Sequence, residues 1–219
     1  MHTIKTSKAR ENILSRIRKG LGNEAKSMPF AEAEKAQVPQ AFAKADISPE
    51  EQFAQNFIAL GGKFVFCDNE KEFLESVHDL YDSRGWQELY CADDRLLHLF
   101  QNNKLNIVQP VNIQNDKADA CITACEFLVA RTGSVLLSSK QPMGRTSTVF
   151  YPVHIMVAYT NQVLPDIANA LDAVKKKYTN GLPSMINLNT GPSRTADIEK
   201  TLVVGVHGPG EVFCFLINA

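Results

Sequence analysis

From Pro49 onward, short apolar runs alternate with segments whose apolar residues recur every three or four positions. No other feature constrains the chain as much. Phe53, Phe57, Ile58 and Leu60 line one face of a helix over 50–60, which Gly61-Gly62 ends. An apolar strand follows over 63–67, and Asn69 then caps a helix carrying Phe73, Leu74, Val77 and Leu80. A second strand over 88–91, a helix over 93–100 and a short strand at Ile107-Val108 continue the pattern. Strand and helix in alternation predict parallel strands joined by crossover helices, not an all-β sandwich. The second half is richer in strand, with runs over 119–124, 127–130, 134–138, 153–159, 185–188, 202–206 and 212–217. Between them, a helix over 165–178 carries Pro165 in its first turn and Lys175-Lys176-Lys177 at the negative end of its dipole. The expected fold is α/β, a mixed sheet flanked by helices.

Ahead of Pro49 the character changes. Ile13, Leu14, Ile17 and Leu21 mark a helix over 5–21, opposite Lys8, Arg10, Arg16, Arg18 and Lys19. A solvated basic face accounts for this pattern more simply than a membrane or partner surface. Residues 23–48 are polar and Ala-rich, broken by Pro29 and Pro39. The organisation expected is an N-terminal helix and extended arm over 1–48, then an α/β domain over 49–219. Such an arm lies over the body or exchanges between subunits of a homo-oligomer.

Charge narrows the partners. The 219 residues carry 23 basic and 24 acidic side chains, a net charge of −1. That balance disfavours a general nucleic-acid binder, whose affinity comes from cations neutralising phosphates, and a chain held to anionic lipid by charge alone. No apolar run approaches the ~20 residues that span a bilayer, and Met1-His2-Thr3-Ile4-Lys5 does not open a secretory signal. A cytoplasmic protein without membrane insertion is expected. Cys67, Cys91, Cys121, Cys125 and Cys214 have irregular spacing, and several sit in apolar runs. They read as small buried hydrophobes, with no metal or cofactor expected in this chain.

Three clusters carry polar chemistry. In Thr190-Gly191-Pro192-Ser193-Arg194-Thr195-Ala196-Asp197-Ile198-Glu199, Ser193 or Thr195 can cap a short helical turn. Its outward N–H groups, with Arg194, would hold a phosphate or carboxylate. The alternative is a capped turn whose Arg194 pairs with Asp197 or Glu199. In Gly205-Val206-His207-Gly208-Pro209-Gly210, His207 stands at a sharp turn, where an imidazole suits proton transfer or anion contact. The simpler account is a hairpin built by the glycines and proline. In the third, Glu126 interrupts an apolar stretch before Ala130-Arg131-Thr132-Gly133-Ser134. A carboxylate there is a candidate base or nucleophile, or one half of a salt bridge with Arg131 or Arg145. Residues 140–152 read as a flexible polar loop suited to a lid, His154 as a satisfied structural histidine, and His2, His78 and His98 as surface residues.

Taken with Ile122-Thr123-Ala124-Cys125-Glu126 and Pro152-Val153-His154-Ile155, these strings resemble the lactate utilization protein C family, LutC/YkgG, which carries a LUD domain. The resemblance implies a three-layer α/β/α sandwich with a mixed, mostly parallel sheet. That fold is similar to those of ribose-5-phosphate isomerases, glucosamine-6-phosphate deaminases and coenzyme A transferases. It also implies a part in bacterial oxidation of L-lactate to pyruvate beside two iron–sulfur proteins, with iron–sulfur clusters expected only in those partners. Three functions follow as expectations: an accessory subunit binding a small carboxylate, a self-contained isomerase- or coenzyme A transferase-like enzyme using Glu126, or a regulatory module sensing a small anion. In each, Glu126, Thr132, Gly133, Ser134, the Arg194 loop and His207 are expected to converge on one pocket at a sheet edge, around a carboxylate or phosphate.

Overall fold

A computed structural model describes residues 8–22, 47–111, 118–142, 144–198 and 201–219. The chain divides into two units, Met1–Lys44 and Ala45–Ala219. In the first, helix α1 (Lys8–Leu21) exposes Ile13, Ile17 and Leu21. Most of the expected arm, and residues 5–7 of the expected helix, lie outside the described residues.

In the second unit the four longer helices begin where a short polar side chain satisfies their first N–H groups. Ser48 caps α2 (Pro49–Ala59), Asn69 caps α3 (Glu70–Arg84) and Asp93 caps α4 (Asp94–Asn102). The strands between them are β1 (Lys63–Cys67), β2 (Leu89–Cys91) and β3 (Val108–Pro110). Next come β4 (Ala120–Ala124), β5 (Phe127–Val129), a single 3₁₀ turn at Ala130–Thr132, and β6 (Ser134–Ser138). The expected flexible loop over 140–152 contains a short helix α5 (Ser147–Phe150) and leads to β7 (Val153–Tyr159). β8 (Val163–Leu164) precedes α6 (Ile167–Lys177), and β9 (Ile186–Asn189), β10 (Arg194–Ile198), β11 (Thr201–Val204) and β12 (Glu211–Ile217) complete the chain. Asp166 takes the cap of α6, so Pro165 stands just before the helix and not in its first turn.

The central sheet runs β1-β12-β7-β4-β2-β3, and all five pairings are parallel. The expectation of an α/β fold with a mostly parallel central sheet and helices holds. The antiparallel strands lie elsewhere than one mixed sheet would put them. They form a second, mixed sheet, β8-β5-β6-β9, in which β8 pairs parallel with β5, and a separate β10-β11 hairpin.

The side-chain period of two explains this layering. On β12, Phe213, Phe215 and Ile217 point to one face with Ile155 and Val157, where α3 and α4 cover them through Phe73, Val77, Leu96 and Phe100. Val212, Cys214 and Leu216 point to the other face, against Phe53 and Phe57 of α2 and Leu128, Val135 and Leu137 of the second sheet. Val129 and Leu136 then face outward and are covered by Ala170 and Val174 of α6. The inner strands of both sheets are thus buried on two sides, which is why β4, β6 and β12 read as largely apolar runs. Full burial of each large apolar side chain contributes roughly 1.5–3 kcal/mol, so a one-residue slip of β12 would exchange both faces at prohibitive cost. The five cysteines are all free and buried. No helix among the described residues is long and apolar enough to cross a membrane.

Candidate functional site

Two of the three polar clusters meet through backbone contacts that only glycine permits, and the hairpin tip before β6 is one of them. Gly133 has φ +59, and a Cβ there would lie 2.5 Å from the backbone nitrogen of Phe57. Helix α2 therefore rests directly on the tip, where Asn56 Nδ2 donates to the carbonyls of Ala130 at 2.9 Å and Arg131 at 3.1 Å. Ser134 Oγ donates to Thr132 Oγ1 at 2.8 Å and lies 3.0 Å from Thr190 Oγ1, so this tip adjoins the chain leaving β9. Gly191, at φ +102, passes Leu60 so closely that a Cβ would come 2.8 Å from its carbonyl oxygen. The same carbonyl accepts a hydrogen bond from the Arg194 guanidinium.

The His207 turn joins this junction. Ser193 N donates to Pro209 O at 2.9 Å, and Gly205 N donates to Ser193 O at 3.0 Å. Gly210 N donates to Pro152 O at 2.9 Å just ahead of β7. Thr132, Gly133, Ser134, Gly191, Ser193 and Arg194 thus gather at the end of α2, with His207 exposed on the adjoining loop. The junction lies at the amino-terminal edge of the parallel sheet, beside the starts of β1, β7 and β12. A loop that follows a strand of an open α/β sheet, as residues 190–199 follow 185–188 in the sequence, is expected at the opposite edge, where such folds place their ligands; β9 instead belongs to the second sheet. The expected capped turn is also replaced: Arg194 and Thr195 begin an extended hairpin, with Arg194 opposite Val204 and Thr195 opposite Val203. Pairing with β11 satisfies this backbone where a helical turn would otherwise have done so. Asp197 stands in β10 with its side chain outside the described atoms, and Glu199 lies outside the described residues.

Glu126 is not brought to this junction. It sits at the other end of the β5–β6 hairpin, 1% exposed. Ser138 Oγ donates to it at 2.6 Å, Lys177 Nζ at 2.7 Å and Tyr178 Oη at 2.7 Å. Burial alone would raise its carboxyl, but the hydrogen bonds from Lys177, Ser138 and Tyr178 outweigh burial and hold it below the usual carboxylate range. Its ion-pair partner is Lys177, from the run assigned to the helix dipole, and neither arginine considered for it. Arg131 instead grips Asp166 through two bonds of 2.8 and 2.7 Å, and Arg145 donates to Ser184 Oγ at 2.5 Å. A carboxylate with three donors and no exposure is a fixed anchor for α6, poorly placed to take a proton from a ligand.

His154 is buried, with Nε2 2.9 Å from Thr123 Oγ1. Its Nδ1 is buried and without a partner among the described residues, so it is only half satisfied. Burial pushes the imidazole down to about 4.

A crevice of about 310 Å3 opens at the opposite, carboxyl-terminal edge of the sheet, where β4 and β7 end between α3 and α4. Arg95, His98 and Asn102 line one side, and Glu70 and Tyr159 line another. None of the three polar clusters marks it, and His98 at its rim is exposed, as expected of a surface residue. The legible signal was the placement of Arg95, His98 and Asn102 on one face of the helix that follows β2, with Tyr159 ending an apolar strand.

A parallel sheet with crossover elements on both faces and a crevice at its carboxyl edge places the chain in the α/β class. Residues 50–217 match the family model of the LUD domain, and the chain belongs to that family. Lactate utilization protein C of Bacillus subtilis is 36% identical over 105 residues, 47% of this chain and 44% of that protein. The protein of that name from Geobacillus thermodenitrificans is 38% identical over 159 residues, 71% of this chain and 62% of that protein. The matched segments thus span less than two thirds of these relatives. The crystal structure of a DUF162 family protein from Deinococcus radiodurans shares the fold, with a TM-score of 0.56 at 19% identity, covering 78% of this chain and 99% of that one.

Proposed function

We propose that this chain is a cytoplasmic component of an L-lactate utilization system. In this reading it binds a small carboxylate and leaves electron transfer to iron–sulfur partner proteins. The names of its relatives support the system. The Arg194 junction supports the ligand: an exposed guanidinium rests on the Leu60 carbonyl, and the backbone of the neighbouring Ser193 is tied to the His207 loop. Charge-assisted hydrogen bonds from such an arginine suit a carboxylate.

The observation that favours binding over turnover is the position of Glu126. An isomerase- or coenzyme A transferase-like reaction would need a carboxylate at the ligand, whereas Glu126 is tied to Lys177, Ser138 and Tyr178 at the far end of its hairpin.

The test is deletion of the gene and growth on L-lactate, complemented by the wild type and by Arg194→Ala. The deletion is expected to abolish growth and Arg194→Ala to restore it poorly. Calorimetry with lactate, pyruvate and inorganic phosphate accompanies it, with Arg194→Ala expected to weaken the wild-type ligand about tenfold or more. Normal growth of the deletion strain, with no other lactate-oxidising enzyme present, would overturn the system assignment. Equal affinity in both proteins would remove Arg194 from the site.

A further inference from the structure

The carboxyl-edge crevice has a different chemistry from the Arg194 junction and stands independently of the function proposed there. Its position follows from the packing: α3 lies over β1 and β12, α4 lies over β2 and β3, and the ends of β7 and β4 are left uncovered between them. Leu99, Ala124 and Val157 give the crevice an apolar floor. Arg95 projects from the first turn of α4, its Nε 3.6 Å from the capping carboxylate of Asp93. Across the floor, Tyr159 Oη donates to Glu70 Oε1 at 2.8 Å. Burial first, and then Glu70, push the Tyr159 phenol up to about 12, while Arg95 pulls the other way. The Tyr159 phenol therefore lies within electrostatic reach of Glu70 and of the Arg95–Asp93 pair.

One cation and one carboxylate border an apolar floor. That arrangement suits a ligand with a negative end, a donor end and an apolar body. A phosphate dianion would meet Glu70 unfavourably, and a simple fatty acid would leave Glu70 without a donor. Size sets the body. About 310 Å3 stands at the lower end of the roughly 300–1,000 Å3 of small-molecule pockets. Such a volume holds a molecule larger than a three-carbon acid.

We propose that this crevice is a binding site for an apolar 2-amino acid, whose carboxylate meets Arg95, whose ammonium meets Glu70, and whose side chain lies on Leu99, Ala124 and Val157. His98 and Asn102 line the carboxylate side, and Tyr159 fixes the orientation of the Glu70 carboxyl. No residue of the Arg194 junction takes part.

The test uses L-phenylalanine and 3-phenylpropionate, which differ by the amine. Binding is followed by calorimetry and by amide chemical-shift changes in the full chain. L-phenylalanine is expected to bind more tightly than 3-phenylpropionate and to shift the amides of Leu99, Ala124 and Val157. Arg95→Gln should weaken it about tenfold or more. Glu70→Gln should weaken L-phenylalanine and spare 3-phenylpropionate. Arg194→Ala should change neither, which separates failure here from failure of the lactate reading. Both crevice substitutions lie at exposed positions, and unchanged circular dichroism excludes misfolding as the cause of a loss. The proposal is overturned by equal affinity for the two probes, by undiminished binding in Arg95→Gln, by shifts confined to the Arg194 edge, or by no saturable binding of L-phenylalanine up to about 10 mM.

Discussion

Replacing Lys177 by Met isolates the charge that neutralises Glu126. Methionine keeps an apolar stem at the end of α6 and removes only the ammonium, 2.7 Å from Glu126 Oε2. Breaking a fully buried ion pair costs about 3–5 kcal/mol, because one charge is left uncompensated. The Glu126 side chain is 0% exposed, but Lys177 remains 50% exposed and solvent screens it. Glu126 also keeps Ser138 and Tyr178 as donors. The expected loss is therefore near that of one charged hydrogen bond, about 2 kcal/mol. For a domain of this size that corresponds to a fall of about 4–8 °C in Tm. The pH dependence tests the cause. The wild-type Glu126 carboxyl is held below its ordinary range, so its stabilisation is present above the unfolded pKa and is lost as pH falls through the folded one. Without Lys177 the carboxyl titrates higher, and protonation relieves the buried charge. The gap between the two proteins should accordingly be widest at neutral pH and narrow towards about pH 4. Urea unfolding followed by circular dichroism across that range measures it. A gap below about 0.5 kcal/mol at pH 7, or one constant down to pH 4, would refute the account of Glu126 as an anchored internal charge.

Two further outcomes follow from packing and burial. Gly133→Ala places a Cβ 2.5 Å from Phe57 N and 2.6 Å from the Asn56 carbonyl carbon at φ +59, and should lower stability by at least about 2 kcal/mol; an unchanged urea midpoint would contradict the close approach of α2. His154 is pushed down to about 4 by burial, so between that pH and its ordinary value of 6.5 the unfolded chain takes up a proton that the folded one refuses, and stability falls with acid across that window. His154→Gln, which keeps a hydrogen-bonding group near Thr123, should flatten that slope in pH-dependent unfolding, and an identical slope would show that other groups set it.

The elements of the α/β body were legible because each is announced by a local rule. The run over 63–67 became β1 without change, and Asn69 caps α3 as its side-chain chemistry demands. Sheet membership was not legible. Phe127-Leu128-Val129 and Ile155–Ala158 are both continuous apolar runs, since both are buried on two faces. Burial pattern cannot distinguish a strand of the parallel sheet from one stacked beneath it; only partner strands distant in sequence decide that. The same ambiguity put β9, and with it Arg194, at the wrong edge. Ser193 and Thr195 are competent caps, yet β11 supplies backbone partners that make the extended form of β10 the better satisfied one.

The site followed the same logic in reverse. The glycines of Thr132-Gly133-Ser134 and Thr190-Gly191 permit close contact with α2, through Phe57 at one and Leu60 at the other. A glycine forced by packing and a glycine forced by a ligand look alike along the chain, because each needs only the absence of a Cβ. Glu126 drew attention as a charge among apolar neighbours, and burial with an ion pair produces that pattern as readily as catalysis does. The crevice was silent for a different reason. Glu70, Arg95 and Tyr159 come from three separate elements and belong to no compact string, so each alone reads as an ordinary surface or strand-end residue. They become a group only when parallel strands with crossovers on both faces bring the ends of β1, β4 and β7 to one edge. The edge that sequence strings mark most strongly is therefore the one held together by backbone contacts, while the edge with open space between opposite charges is marked only by topology. Ligand chemistry at the two edges can then be separated by substitution, because Arg194 and Arg95 share no partner.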